Sequence, residues 1–124
     1  MSNWDEFIFT EEDNEDFLDE LADLDGQEIT QALVDAVNLA LGEGETVDYQ
    51  LGLCAATVAA IWCGAPFSAA SVADEHPFIR AYIGQCPDEL QEVSLQLLDG
   101  EQERLDSADR IEAEGLETFV EALS

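Results

Sequence analysis

Between Tyr49 and Ala73 the chain carries no charged side chain, although 30 of its 124 residues are aspartate or glutamate. Such a run, set between dense acidic blocks, is driven out of water while its neighbours hold to it, so the run belongs inside and the blocks outside. The blocks are explicit: residues 5–25 hold eleven acids and no base, and residues 99–121 hold nine acids with Arg104 and Arg110. The uncharged run is long enough to raise the question of a membrane span. It is alanine-rich, is interrupted by Gly64-Ala65-Pro66 and has acids on both sides with no basic anchor nearby, so a buried central helix is the reading it supports.

Size permits this. A chain of 13.6 kDa should fold to roughly 6,600 Å² of surface and bury about two-thirds of its extended-chain area. With 47% hydrophobic residues it can offset its ordering entropy despite a formal charge of −27. Three arginines and no lysine exclude gripping a phosphate backbone by counterion release, and exclude adhesion to an anionic membrane. Cys54, Cys63 and Cys86 are an odd number, and Met1 to Glu6 lacks the basic and apolar regions of a signal peptide, so a reducing cytoplasm is the expected home. If Cys54 and Cys63 share a helix, a rotation of about 100° per residue puts them on opposite sides, where they cannot pair. The cysteines read as small buried hydrophobes.

Periodicity is helical nearly throughout. Phe17, Leu18, Leu21 and Leu24 form an apolar stripe on a first helix ending near Gly26, with acids advancing in pairs along its other side. Ile29, Ala32, Leu33, Ala36, Val37, Ala40 and Leu41 define a second helix, with Gly42 as its stop. Gly42 to Thr46 reads as a loop, Asp48 as an N-cap, and about Tyr49 to Cys63 as a helix apolar on almost every side. Phe67 to Glu75 is a connection, and Phe78, Ile79, Tyr82 and Ile83 suggest a short helix stopped at Gly84. Pro87 or Asp88 starts another helix, with Leu90, Val93, Leu97 and Leu98 on one face. A last helix runs from about Ser107 to Leu123 through Ile111, Leu116, Phe119, Val120 and Leu123. Gly115 inside it costs about 1 kcal/mol relative to alanine. The expected fold is all-α: one domain over residues 1–124, five or six helices packed around the apolar helix at about 49–63, with an aromatic arm at residues 1–10.

Trp4, Phe9, Asp13 and Asp16-Phe17-Leu18-Asp19-Glu20-Leu21 resemble the opening of a family of small, acidic, uncharacterised bacterial proteins, a domain of unknown function. Its members begin Met-Gly-x-Trp-Gly-x-Gly-x-Phe and continue to Asp-Phe/Trp-Leu-x-x-Leu. The resemblance lies mainly in residues 1–21, with Asp5 and Phe7 standing where the family has glycines. It implies no activity, cofactor or catalytic residue. The same residues admit two physical readings. Trp4, Phe7 and Phe9 fold back over the core beside Phe17, or they form an exposed apolar anchor ringed by acids.

Motifs for chemistry are sparse. His76, the single histidine, sits between Glu75 and Pro77 and reads as an exposed loop or cap residue. With Cys63 and Cys86 it offers no short-spaced ligand pair for zinc. Taking Gly26 as the sixth position of a calcium loop puts Leu21 first and Ala32 twelfth, so both defining ligands are missing. No phosphate loop, nucleophile elbow or His-Glu-x-x-His motif occurs. The acids fall on polar faces, where nothing shifts their protonation for acid–base work. No cofactor and no metal are expected.

Paired acids on the first helix amount to about one negative charge per 2.7 Å of axis, against roughly one per 1.7 Å in duplex DNA. A non-enzymatic binding or regulatory protein follows as an expectation: a nucleic-acid mimic, or an inhibitor of a basic protein, using charge for steering and apolar residues for affinity. Its contact surface would comprise Trp4, Phe7 and Phe9 with Glu12, Glu15, Asp16, Asp19 and Asp23. Two alternatives stand beside it: an acidic coat serving solvation in a salt-rich cytoplasm, and a small hydrolase using buried carboxylates. Self-association through uncovered apolar faces is possible but not indicated, because a net 27 like charges per subunit oppose it unless salt screens them.

Overall fold

The computed structural model describes residues 8–9, 11–42, 46–65, 74–107 and 112–123. Among the described residues six helices are delimited at both ends, in order α1 (Glu12–Ala22), α2 (Gly26–Leu41), α3 (Thr46–Trp62), α4 (Phe78–Ala81), α5 (Asp88–Ser107) and α6 (Glu112–Leu123). No strand occurs among the described residues, so the all-α expectation holds. The surface is 6454 Å², close to what scaling gives for a compact chain of this mass.

α3 is the axis of the molecule and contacts each of the other five helices. Cys54 to Ala56 and Val58 to Ile61 are wholly buried, as the uncharged part of a helix enclosed by amphipathic neighbours must be. It begins three residues earlier than its apolar pattern suggests, because Thr46, Val47 and Asp48 form its first turn. Asp48 therefore lies inside the helix rather than capping it, and its carboxylate faces the positive end of the helix dipole. α3 ends in a Schellman motif. Ala65 N–H donates to the Ala60 carbonyl and Gly64 N–H to that of Ile61, with Gly64 at φ +108°. α2 lies closest to α3 because Gly52 presents no side chain there: a Cβ at that position would collide with Ala40 and stand 3.0 Å from the Ala36 carbonyl.

Several boundaries are set by groups other than the expected ones. Gly26 does not end α1; it opens α2, where Asp25 is the N-cap and accepts from Glu28 N–H at 2.9 Å. A Cβ at Gly26 would stand 2.9 Å from the Tyr82 hydroxyl, so a larger residue there would have to displace the end of that side chain. α1 closes at Asp23, leaving Leu24 exposed in the turn instead of on the apolar stripe. The stripe is Asn14, Leu18 and Leu21, with Phe17 half-buried beside it. Gly42 ends α2 as its pattern suggests. The short helix before Gly84 is also present as α4, and Gly84, at φ +89°, donates its N–H to the Trp62 carbonyl at 2.6 Å. Residues 66–73 and 108–111, including Ile111, lie outside the described residues.

On the described part of the chain no helix is long and apolar enough to cross a membrane. One core cluster joins all the helices, with Trp62 its largest fully buried side chain. The free thiols differ in setting: Cys54 is buried, whereas Cys63 and Cys86 are half-exposed.

Candidate functional site

α1 buries one face and exposes nearly everything else. Residues 11–25 place nine exposed carboxylates over α1 and the turn to α2, among them Glu12, Glu15, Asp16, Asp19 and Asp23 of the expected surface. These five share a helix and its C-cap, so they form a continuous acidic face. Of the aromatic part of the expected surface, Phe9 does not join them. Phe9 is 1% exposed, packed in the core next to Ile8, so it is unavailable to a partner. The reason is Asn14, whose buried side-chain amide donates to the Ile8 carbonyl at 2.7 Å and draws that segment down onto α1. Trp4 and Phe7 lie outside the described residues.

His76 corrects the expectation of an exposed histidine. Its side chain is 4% exposed, its Nε2 lies 2.7 Å from Oδ1 of Asp19, and its ring meets Phe78 edge-on with centroids 6.3 Å apart. Asp19 is 72% exposed, so one carboxylate both clamps the segment before α4 to α1 and remains on the acidic face. Elsewhere, Arg80 Nη2 lies 3.5 Å from Asp74 Oδ1, and Arg104 is committed to Glu101. α1 itself contains no basic residue.

Glu101 corrects the expectation that every acid lies on a polar face. It sits in phase with Leu90, Ser94, Leu97, Leu98 and Leu105 on the inward stripe of α5 and is 2% exposed. Tyr49 of α3 donates its hydroxyl to Oε1 at 2.6 Å, while Arg104 donates Nε to Oε1 at 2.8 Å and Nη2 to Oε2 at 2.7 Å. Both oxygens are thus engaged, which is how a buried carboxylate is tolerated. Burial, followed by the bond to Glu101, pushes the Tyr49 phenol above its ordinary range, and the bonds to Glu101 hold the Arg104 proton more tightly still. This triad, with Ile8, Glu11, Gln50 and Leu53, lines a pocket of about 360 Å³. Since the carboxylate is saturated by its partners, the arrangement joins α3 to α5 and offers no free acid to a substrate.

A larger pocket of about 720 Å³ lies where the start of α2 meets Trp62, Tyr82, Gln85 and Pro87. Trp62 and Tyr82 form its aromatic wall, with ring centroids 5.4 Å apart. Its polar lining is mostly neutral, from Gln27, Thr30, Gln31 and Gln85, with Glu28 as the charged group. His76 lines neither pocket. Among the described residues no group of three or more His, Cys, Asp or Glu side chains converges to hold a metal ion.

A family profile matches residues 2–119. The chain belongs to the DUF4259 family, a domain of unknown function. No curated protein and no solved structure matches the chain. Membership therefore extends over nearly the whole chain and brings no assigned residue with it.

The acidic face was legible in the sequence; the His76 clamp and the Glu101 triad were not. Glu101 left a signal all the same: it follows Leu97 and Leu98 at helical spacing, with Arg104 one turn further on, the pattern of a charge placed on a buried stripe with its partner supplied. Nothing local in the sequence pairs His76 with Asp19, which lies 57 residues away.

Proposed function

We propose that this protein is a non-enzymatic binding or regulatory protein that docks a basic protein partner on the α1 face formed by Glu12, Glu15, Asp16, Asp19 and Asp23. The observation that supports this most directly is the nine exposed carboxylates of residues 11–25, on α1 and the turns that flank it, a stretch with no basic residue. Such a face lowers the energy of an approaching cation over several ångströms, and its charge spacing approaches that of a nucleic-acid backbone. The exposed Arg104 is paired with the buried Glu101, so that arginine takes no charge from the face. The partner is a protein carrying clustered arginine or lysine; neither nucleic acid nor an anionic membrane fits so negative a surface. The cytoplasm suits three free thiols. The likeness of Trp4, Phe9 and Asp16-Phe17-Leu18 to the bacterial family's opening motif supports a bacterial setting for this role.

The test is affinity capture from a bacterial lysate with the wild-type chain and with a variant carrying Glu12→Gln, Glu15→Gln, Asp16→Asn and Asp23→Asn; Asp19 is kept because it holds His76. The wild type should retain a basic protein at low salt, release it as salt rises, and lose it in the variant. Equal capture by both chains, or binding indifferent to salt, would overturn the proposal.

A further inference from the structure

Two of the three cysteines meet at a place the sequence does not connect. Cys63 is the C-cap residue of α3, its N–H shared between the Ala59 and Ala60 carbonyls. Cys86 lies in the segment leading into α5. The bond from Gly84 N–H to the Trp62 carbonyl draws the two segments together. Both thiols line one pocket of about 240 Å³, which Trp62, Gly84, Gln91 and Ala122 complete. Cys86 Sγ lies 3.7 Å from the Pro87 carbonyl oxygen, and both thiols are half-buried, whereas Cys54 is wholly buried. A buried structural cysteine needs neither a thiol neighbour nor an open pocket.

We propose that Cys63 and Cys86 form a reversible dithiol–disulfide site that is oxidised by a low-molecular-weight disulfide of the glutathione class. The Cys63 thiolate attacks one sulfur of the small disulfide; that S–S bond breaks, one small thiolate leaves and takes up a proton, and a mixed disulfide remains on Cys63. Cys86 then gives up its proton, and its thiolate attacks the Cys63 sulfur and expels the second small thiolate. The protein pair loses two electrons and two protons, and one small disulfide becomes two thiols. The order of attack follows from the setting. Burial first, and then the neighbouring Cys63 sulfur, push the Cys86 thiol above its ordinary range. Cys63 is therefore the attacking sulfur and Cys86 the resolving one. The bond ties the end of α3 to the entrance of α5 beside Trp62, which also walls the 720 Å³ pocket, so the oxidation state acts on that wall.

The full chain, incubated with oxidised glutathione and then alkylated, gives the direct readout by intact mass and peptide mapping. The wild type should lose two hydrogens, yield a single Cys63–Cys86 linked peptide, keep Cys54 as a free thiol reactive only after denaturation, and return to the starting mass with reductant. Cys86→Ser should trap glutathione on Cys63. The wild-type measurement stands alone if that variant does not fold. With Trp4→Phe leaving Trp62 as the sole indole, its fluorescence should fall on oxidation and recover on reduction. A pair that stays reduced in excess oxidised glutathione, or that ends as separate stable adducts on Cys63 and Cys86, would overturn the proposal.

Discussion

Cys54, Cys86 and Tyr49 are held protonated by the fold, in each case chiefly because burial disfavours the anion. Their ordinary values are 9.0, 9.0 and 10.0, and all three are raised in the folded chain. Above those ordinary values the unfolded chain releases protons that the folded chain retains, so the folded state binds more protons and its stability falls as pH rises. The contribution is complete below the ordinary thiol value and is lost as pH climbs toward the raised folded values. Thermal unfolding followed in reductant from neutral to strongly alkaline pH should show a falling midpoint, and Cys54→Ala should flatten that fall. A midpoint flat through the thiol and phenol range would show that these groups titrate alike in both states. Asn14 and Glu101 act at the same scale: each is a buried polar side chain that fixes a neighbour, Asn14 the Ile8 carbonyl and Glu101 the phenol of Tyr49.

Among the elements, the packing of α2 on α3 depends on absent side chains. Gly52 faces Ala36, Ala40 and Leu97, and the backbones close to a distance that no Cβ would allow. Gly52→Ala gains about 1 kcal/mol of helix propensity, but it forces apart a close-packed contact at a cost of about 1–3 kcal/mol. The net expectation is a loss on the order of 1 kcal/mol, read as a lower denaturant midpoint with an unchanged slope. A midpoint at or above that of the wild type would show that the helices can separate freely there. The elements also show what a sequence of this kind discloses. α2 and α3 were legible because a three-turn apolar stripe and a wholly neutral run each permit one placement. The true start of α2 at Asp25 and Gly26 was not, because the side chain that packs over Gly26 is Tyr82, far away in the chain. The same holds for the site: charge density marks α1 as an acidic face, but burial of Phe9, pairing of His76 with Asp19 and the pocket shared by Cys63 and Cys86 depend on distant segments meeting.

On the scale of the whole molecule, charge is partitioned. Neutral residues fill the centre around α3, Glu101 is the single buried carboxylate among the described residues, and its own arginine answers it. The core cluster stands without a charge from the α1 face, and α1 is held by Leu18, Leu21, Asn14 and the Asp19 clamp. A formal charge of −27 does repel itself, and screening relieves that repulsion over a Debye length of about 10 Å at 0.1 M salt, so added salt should raise stability modestly. The most direct test of the account is helicity and cooperative thermal unfolding, followed by circular dichroism from millimolar to molar salt. The account predicts a fully helical chain that melts cooperatively even at millimolar salt, with only a shallow rise in midpoint as salt is added, leaving the acidic face free for a partner. A chain without helix at low salt that folds only in molar salt would contradict it, because the carboxylates would then serve hydration of the fold itself.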